Sequence, residues 1–244
     1  MQCVILAGGL GTRMQERHPR VPKTLIEVAG APFAHWQLTR LADQGLTHIV
    51  YSIGYLGDMV RAYVGDGRRW GVSVSYVEEC NGLLGTGGAI RLAVDKGVLD
   101  EAFFVLYGDS YLESEMGPIE RVFQAGRSPA LMTVVRNDGR RDASNVVLDD
   151  GRVVRYEKGV ADPPPEMCWI DYGLSVLRRE LVVETVPPAT RTELSAVQAE
   201  LSRQGRLGGL EVTGRFYEIG SPSGLADLEA HLAHRVADSR SRVD

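Results

Sequence analysis

Cysteine, aromatic side chains and positive charge are all scarce in this sequence. The 244 residues include 3 cysteines, and aromatic residues make up 7% of the chain. Cys3, Cys80 and Cys168 are odd in number and far apart, which argues against a disulfide framework and against a zinc site. The formal net charge is −5, which argues against nucleic acid as a partner.

Long apolar runs and a targeting signal are also missing from the pattern. No run approaches the length of a membrane span, so we expect no membrane partner. The first strand, "QCVIL", has no basic region or cleavage site before it, and we therefore expect a cytoplasmic protein without a signal peptide. With 44% hydrophobic and 24% charged residues, the composition is typical of a globular protein with a sizeable core.

Short apolar runs alternate with amphipathic stretches in the first half of the chain. Runs rich in β-branched and aromatic residues predict strands at 2–6, 48–53, 72–77, 103–107 and 131–135. Helical spacing is found between them, in "PFAHWQLTRLADQGL", "LGDMVRAYVGDG" and "TGGAIRLAVDKG". This alternation predicts an α/β fold with a Rossmann-like mixed, mainly parallel sheet flanked by helices. The loops after the first and fourth strands should meet at one edge, where such sheets bind ligands.

The second half of the chain changes character. "SNVVLDDGRVVRYEKG" predicts a hairpin that turns at Asp150-Gly151, and the stiff loop "ADPPPEM" follows it. "CWIDYGLSVLRRE" predicts a strand that runs into polar residues, while "TELSAVQAELSRQ" and "SGLADLEAHLAHRV" predict amphipathic helices. His231 and His234 lie one turn apart on the last helix, where we expect them to face solvent rather than bind a metal.

A glycine-rich turn, "LAGGLGTRM", follows the first strand directly. Gly8, Gly9 and Gly11 can bring the backbone close to an anion, and the cation Arg13 comes just after them. A dinucleotide fingerprint would need glycine where Met14 stands, and a P-loop would need Gly-Lys-Ser/Thr. These mismatches leave a phosphate loop of another kind, or a plain tight turn, and they argue against a nucleotide-binding oxidoreductase.

Basic residues are concentrated just beyond this turn. Arg13, Arg17, Arg20 and Lys23 lie within one short segment of an otherwise acidic chain. Pro22 restricts the backbone immediately before Lys23 and so helps to aim its amine. A single lysine in a loop is usually solvated, but this concentration of positive charge suits a polyphosphate.

A second glycine cluster, "GLLGTGGAIRLA", opens a predicted helix. Gly85, Gly87 and Gly88 permit close approach of the backbone, and the first turn of a helix carries free N–H groups that can bind an anion. By itself the motif is equally typical of a plain helix-opening loop.

Two acidic residues follow strands where a ligand would lie. Asp109 comes just after a strongly apolar strand, and its carboxylate could bind Mg²⁺ or cap the following turn. Glu218 ends a short strand and is the candidate for a second carboxylate facing Asp109. Glu157 and Lys158 also end a strand, and both can reach one ligand only if the strand stops or bends there.

Together and in this order, these motifs resemble the sugar-1-phosphate nucleotidyltransferases, which implies the nucleotide-diphospho-sugar transferase fold. The family signature G-G-x-G-T-R followed by P-K is matched by Gly8, Gly9, Gly11, Thr12, Arg13 and Pro22-Lys23. The G-D acid, the E-K pair and the late D-x-G of the family are matched by Gly108-Asp109, Glu157-Lys158 and Glu218-Ile219-Gly220. Glutamate at 218 departs from the usual aspartate. The resemblance implies a stand-alone transferase.

The resemblance also implies a role for each matched residue. Arg13 and Lys23 would be catalytic, with Arg13 on the β- and γ-phosphates and Lys23 between the α-phosphate and the sugar phosphate. Asp109 and Glu218 would hold Mg²⁺. The implied nucleotide-binding residues are Leu6, Ala7, Gly8, Gly9, Gly11, Thr12, Arg13, Gly85, Thr86, Gly87 and Asp109. The implied sugar-phosphate-binding residues are Tyr107, Asn145, Glu157, Lys158, Asp171, Tyr172 and Gly173. A single domain is expected over 1–237, with the nucleotide half at 1–135, the sugar half at 136–237 and a frayed tail at 238–244.

The substrates are implied by finer features of the same resemblance. "LLGTGGAI" is most similar to guanylyltransferases for mannose- and heptose-1-phosphates, above all the D-glycero-D-manno-heptose-1-phosphate branch. Asn145 and Asp171-Tyr172 depart from the family in the sugar half, and extra polar groups suit a sugar with more hydroxyls. GTP and heptose 1-phosphate are therefore expected to give GDP-heptose for capsule or other polysaccharide synthesis. The alternatives are a hexose-1-phosphate enzyme and a silent sugar-nucleotide sensor, and a homodimer is compatible with the sequence.

Overall fold

A central mixed sheet organises the computed structural model of the chain, which describes residues 1–11, 14, 18–79, 82–137 and 143–240. Within these ranges the strands are β1 (Gln2–Ala7), β2 (Glu27–Val28), β3 (Ala31–Pro32), β4 (His48–Ile53), β5 (Ser73–Glu78), β6 (Ala102–Tyr107), β7 (Ser110–Leu112), β8 (Ala130–Arg136), β9 (Val146–Asp149), β10 (Arg152–Tyr156), β11 (Trp169–Arg178), β12 (Leu207–Glu211) and β13 (Phe216–Glu218). The α-helices are α1 (Phe33–Asp43), α2 (Gly57–Val64), α3 (Gly85–Asp95), α4 (Met116–Ala125), α5 (Arg179–Thr185), α6 (Leu194–Arg203) and α7 (Pro222–Arg240), with short 3₁₀ turns at Lys23–Leu25 and Arg68–Trp70.

Across the described residues, nine strands form the main sheet in the order β5-β4-β1-β6-β11-β8-β12-β10-β9. β5, β4, β1 and β6 run parallel, whereas β11 is antiparallel to both β6 and β8. β12 is parallel to β8, and the β9–β10 hairpin closes the far edge. The small β7–β13 and β2–β3 pairs stand apart from this sheet. The predicted mixed, mainly parallel α/β fold is confirmed.

Helices cover both faces of the sheet. Because side chains on neighbouring strand positions point to opposite faces, adjacent residues of one strand are buried in different clusters. On one face Cys3 and Ile5 pack with residues of α1 and α4. On the other face Val4 packs with residues of α3, α5 and α6. A smaller apolar cluster lies under α7, where Leu228 and Leu232 contact Tyr217. The alternation of strands and helices in the sequence therefore correctly indicated a sheet flanked by two layers of helices.

The predicted elements agree with the structure most closely where the pattern was regular. The five strands predicted in the first half occur within one residue of their predicted ends. The hairpin turns at Asp150 and Gly151, and the φ angles of 42° and 70° at these residues suit the tight turn predicted there. α4, α5 and β12 were not predicted, and "CWIDYGLSVLRRE" divides into β11 and α5.

The main sheet contains strands from both predicted halves of the chain, 1–135 and 136–237. Helix α7 continues to Arg240, so the helix extends into the segment predicted to be a frayed tail from 238 onward. The last four residues of that tail lie outside the described residues. Among the described helices, none is both long and apolar enough to cross a membrane.

Candidate functional site

A cavity of about 280 Å³ opens at the carboxyl ends of β1, β4 and β6. The loop after β1 and the loop after β6 meet there as predicted, because Gly108 N donates to Leu6 O at 2.9 Å. A Cβ on Gly108 would lie 2.6 Å from the same carbonyl oxygen, so only glycine permits this approach. The predicted residues that line the cavity are Leu6, Ala7, Gly8, Gly9, Gly11, Lys23, Gly85, Thr86, Tyr107 and Asp109.

The glycines of the first loop have different reasons to be glycine. A Cβ on Gly8 would lie 2.6 Å from Glu79 Oε1. Gly11 has a φ of +62°, and a Cβ there would lie 3.6 Å from the stem of Lys23. A Cβ on Gly9, by contrast, would meet no described atom within 4 Å, and this residue lines the cavity. Packing of the described residues therefore accounts for Gly8 and the positive φ accounts for Gly11, while Gly9 leaves the space that a close ligand would use.

Lys23 and Asp109 form an ion pair at one end of the cavity. Pro22 is in an extended conformation and is followed by the 3₁₀ turn that carries Lys23. Lys23 Nζ donates to Asp109 Oδ2 at 2.9 Å, and both side chains are mostly buried. An ammonium and a carboxylate thus stand together where the glycine-rich loop meets the end of β6. Thr12, Arg13 and Arg17 lie outside the described residues.

The predicted second carboxylate lies beside this pair. Glu218 ends β13, which pairs with β7 next to Asp109. Its carboxylate accepts hydrogen bonds from Gly220 N and from Ser221 Oγ, each at 2.5 Å. A Cβ on Gly220 would lie 2.5 Å from Glu218 Oε2, 3.3 Å from Lys23 Nζ and 3.5 Å from Asp109 Oδ2. The three charged side chains therefore converge around Gly220.

The oxygens of Asp109 and Glu218 fit the predicted magnesium site in chemistry and position. Magnesium prefers one or two carboxylates together with phosphate oxygens and water, and it does not need a full cage of protein ligands. The described part of the chain contains no group of three or more His, Cys, Asp and Glu residues suited to a metal. Magnesium at these two residues stays a prediction.

The glycine-rich first turn of α3 is contacted by another part of the chain. Gly87 N and Gly88 N both donate to Thr192 O, at 2.8 and 3.1 Å. Thr86 N and Oγ1 donate to Glu193 Oε2, and Thr86 Oγ1 accepts from Leu194 N. The expectation of free N–H groups at this helix start is therefore wrong, because the segment 190–193 caps the helix. Gly87 faces α5 and α6 rather than the cavity.

Polar residues of the second half gather beside Tyr107. Asn145 Oδ1 accepts from Asp171 N at 2.9 Å, and Asp171 Oδ1 accepts from Gly173 N at 2.9 Å. Gly173 has a φ of +90° within the bulge where β11 shifts register against β8, and it faces Tyr107 and Ser110. Lys158 Nζ lies 5.8 Å from the centre of the Tyr107 ring. The structure thus brings together Tyr107, Asn145, Lys158, Asp171 and Gly173.

The carboxylate of Asp171 is held by two donors within the protein. Its Oδ2 accepts from Tyr156 OH at 3.2 Å, in addition to the bond from Gly173 N. Burial raises the pKa of Asp171, while the Gly173 N–H, the Lys158 ammonium and the Tyr156 hydroxyl act to lower it. Burial likewise raises the pKa of Tyr107.

Two residues predicted for the sugar phosphate are placed elsewhere. Glu157 is exposed and forms a bidentate ion pair with Arg155, at 3.0 and 3.1 Å. This pairing lowers the pKa of Glu157. The hydroxyl of Tyr172 accepts from Glu113 N and Ser114 N and donates to Arg215 O, so it ties loops together. Neither side chain joins the group of residues beside Tyr107.

The cavity also contains residues that the sequence motifs missed. Ser52, Glu79, Arg191 and Glu193 line it, together with Leu83 of the second glycine-rich motif. Burial raises the pKa of Glu79, and nearby Glu193 adds to this effect while the Leu84 N–H opposes it. Glu79 follows β5 just as Asp109 follows β6, so the argument applied to Asp109 could have found it. Arg191 and Glu193 enter from a distant loop that no motif marked.

The chain is similar to several known proteins. The model of the MobA-like NTP transferase domain matches residues 3–213. A glucose-1-phosphate thymidylyltransferase from Streptomyces antibioticus is 26% identical over 93% of this chain and 65% of its own length. A D-glycero-alpha-D-manno-heptose 1-phosphate guanylyltransferase from Aneurinibacillus thermoaerophilus is 36% identical over 65% of this chain and 68% of its own length.

A solved structure extends the similarity to the three-dimensional fold. HddC from Yersinia pseudotuberculosis, crystallised in complex with GMP-PN, superposes with a TM-score of 0.78 and 26% identity, over 95% of this chain and 99% of that one. The chain spans just under two thirds of the length of the thymidylyltransferase relative. Because the family model matches most of its residues, the chain belongs to the MobA-like NTP transferase family, and its relatives include sugar-1-phosphate nucleotidyltransferases.

Proposed function

We propose that this protein is a sugar-1-phosphate nucleotidyltransferase that uses GTP and D-glycero-D-manno-heptose 1-phosphate. The observation that carries the proposal is the Lys23–Asp109 ion pair at the mouth of the glycine-rich loop, with Glu218 beside it. Such a group of charges suits a reaction between two phosphates, in which alignment and charge stabilisation carry most of the rate. The names of the relatives support the reaction class, and they differ in nucleotide and in sugar.

In this reaction a phosphate oxygen of the sugar 1-phosphate attacks the α-phosphorus of the triphosphate. The new P–O bond forms as the bond to the β-phosphate oxygen breaks, and pyrophosphate leaves with its electron pair. Lys23 moves from Asp109 to the oxygens of both substrates and stabilises the charge that develops on the α-phosphate. Asp109 and Glu218 would hold Mg²⁺, which would supply further neutralisation of phosphate charge. No side chain of the protein forms a covalent intermediate.

The proposed choice of GTP rests on the sequence "LLGTGGAI" and on the neighbour that was crystallised with GMP-PN. The proposed choice of heptose rests on Asn145 and Asp171. These two residues belong to the second half of the chain and lie beside Tyr107. Mannose 1-phosphate or another hexose 1-phosphate is the alternative acceptor. A silent sugar-nucleotide sensor is the non-enzymatic alternative.

The test is a matrix of four triphosphates against heptose, mannose and glucose 1-phosphates, read by pyrophosphate release. We expect the highest kcat/KM for GTP with the heptose. Higher kcat/KM for UTP or dTTP would overturn the choice of base, and equal use of the three sugars would overturn the choice of sugar. Binding of GDP-heptose without pyrophosphate release from any pair would favour the sensor.

A further inference from the structure

The Glu79 carboxylate is held in one place inside the cavity, although the proposed chemistry does not use it. Its backbone N donates to Ile53 O at 3.1 Å, which fixes the residue just beyond β5. Leu84 N donates to Oε2 at 2.6 Å. The other oxygen, Oε1, lies over the first loop, where a Cβ on Gly8 would come within 2.6 Å of it. The carboxylate is therefore a preorganised acceptor rather than a mobile surface group.

No cation among the described residues pairs with Glu79. In this respect Glu79 differs from Asp109, the acidic residue at the other end of the cavity. Asp109 is engaged by Lys23. Glu193 also lines the cavity, but its Oε2 holds Thr86 at the start of α3. Glu79 is thus available to accept from a ligand, on the β5 side of Gly8 and away from the Lys23–Asp109 pair.

The position suits the base of a nucleotide whose phosphates lie at Lys23. An ionised carboxylate only accepts hydrogen bonds, so it is complementary to an edge that offers donors without acceptors beside them. Guanine offers N1–H and N2–H₂ side by side. Uracil and thymine offer a single N–H between two carbonyl oxygens, and adenine offers N6–H₂ beside the acceptor N1. A fixed carboxylate therefore attracts guanine and repels the acceptors of the other bases.

We propose that Glu79 is the specificity-determining residue that reads the N1–H and N2–H₂ edge of guanine. This inference rests on the proposed function, because it assumes that the cavity holds a nucleoside triphosphate. It adds a physical cause for the choice of base, which the glycine-rich motif alone does not supply. It also predicts which analogue of GTP the protein rejects.

The decisive comparison is between GTP and ITP, which differ by the 2-amino group alone. Loss of a hydrogen bond to a charged acceptor should make ITP weaker by roughly 10- to 100-fold. Glu79→Gln keeps the size of the side chain and an acceptor for Leu84 N, but the amide presents a donor as well. In this variant we expect kcat/KM for GTP to fall by roughly 10- to 100-fold and the preference over UTP and dTTP to narrow by a similar factor.

Glu78→Gln is the matched control. Glu78 is the preceding residue, and its carboxylate pairs with Arg61 outside the cavity at 3.3 Å. This control should keep the wild-type ratios among GTP, ITP and UTP. Dissociation constants of wild type and both variants for GTP and ITP, measured by calorimetry, give a second readout that does not depend on turnover or on a sugar substrate.

The outcomes separate the two proposals. Two results would show that Glu79 does not read guanine: the wild type binds and uses ITP as well as GTP, or Glu79→Gln leaves the GTP:ITP and GTP:UTP ratios of kcat/KM unchanged. Either result leaves the nucleotidyltransferase proposal intact. Pyrophosphate release only with pyrimidine triphosphates would overturn both the GTP assignment and the role of Glu79. A wild-type preference for GTP over ITP that Glu79→Gln removes and Glu78→Gln retains supports the inference.

Discussion

Single residues in the cavity combine a structural task with a proposed chemical one. The stem of Lys23 lies 3.6 Å from where a Cβ on Gly11 would be, and its ammonium donates to Asp109, so the same side chain packs beside the glycine-rich loop and carries the charge. Glu218 holds Gly220 and Ser221 in a tight turn before α7. A carboxylate has about four lone-pair sites, so these two bonds leave acceptor capacity for a metal.

Replacing Lys23 by Ala is expected to lower kcat by about 100- to 1000-fold, the scale for loss of one preorganised group that stabilises transition-state charge. Pyrophosphate release at saturating substrates measures the effect. Lys96→Ala, which removes an exposed ammonium after α3, is the control and should retain wild-type turnover. Wild-type kcat in Lys23→Ala would contradict the role assigned to this residue.

Metal dependence is expected to separate Asp109 from Glu218. Asp109→Asn should strongly raise the Mg²⁺ concentration needed for half-maximal activity and lower kcat, and Glu218→Gln should do the same more weakly. The reason is that each change removes a negative charge from the proposed metal site. A magnesium titration of pyrophosphate release checks both variants.

The control for this prediction is Ser221→Ala, which removes a hydrogen bond to Glu218 but keeps the carboxylate. It should leave the magnesium requirement unchanged even if it lowers the melting temperature. An unchanged requirement in Glu218→Gln would leave Asp109 as the one carboxylate of this pair that binds the metal.

Among the secondary-structure elements, α3 shows how one segment can alter the meaning of a motif. Its glycine-rich start is typical of an anion site, yet Thr192 O accepts from two of its N–H groups. Gly85 is required because a Cβ there would lie 2.7 Å from Thr192 O, and its φ is +71°. The glycines permit close approach as the sequence indicated, but the approaching group is the chain itself.

Gly85→Ala and Gly97→Ala form a matched pair on the two sides of α3. Both glycines have positive φ, but a Cβ on Gly97 would meet no described atom within 4 Å. Gly97→Ala should therefore cost about 1–2 kcal/mol of unfolding free energy from backbone strain alone. Gly85→Ala should cost roughly 1–3 kcal/mol more, because the methyl group also collides with the 190–193 segment. Urea denaturation measures both, and equal losses would contradict the proposed contact.

At the scale of the whole molecule, α7 joins the last part of the chain to the loops of the site. His231 stacks on Tyr217 with the ring centres 4.6 Å apart, and its Nε2 lies 3.1 Å from Glu113 Oε1. The expectation that this histidine faces solvent is wrong, whereas His234 is exposed as predicted. Burial lowers the pKa of His231. The nearby residues Arg235, Arg215 and His234 lower it further, whereas Glu113 raises it.

The protein should therefore lose stability as the pH falls through the ordinary pKa of histidine, about 6.5. Below that pH the unfolded chain binds a proton at position 231 more readily than the folded chain, so protonation favours unfolding. Above it the contribution is fully present. His231→Phe keeps a ring against Tyr217, and it should reduce the pH dependence of unfolding free energy between pH 7 and pH 5.

Urea titrations at pH 5, 6 and 7 measure this dependence. His234→Phe is the control, since it removes a histidine that is exposed on the same helix. If His234→Phe reduces the pH dependence and His231→Phe leaves it unchanged, the acid sensitivity belongs to His234 and the prediction for His231 is wrong.

Features that depend on neighbouring residues were determined by the sequence alone. Apolar runs located the first strands, and Asp150-Gly151 located the hairpin turn because few residues adopt the positive φ angles found there. The order of strand, glycine-rich loop and strand-end acid also placed Gly8–Gly11 beside Asp109, because parallel strands bring their carboxyl ends to one edge. Periodicity and backbone preference act over a few residues, so a sequence displays them directly.

Tertiary structure decided what depends on contacts between distant parts of the chain. Gly208 and Gly209 lie within β12, where a Cβ on Gly209 would collide with Leu148. Glu157 pairs with Arg155, and Thr192 caps a helix that begins about a hundred residues earlier. Glu79 reaches Gly8 from another strand. Local patterns specify which conformation a segment prefers, but close packing determines which distant group occupies the space beside it.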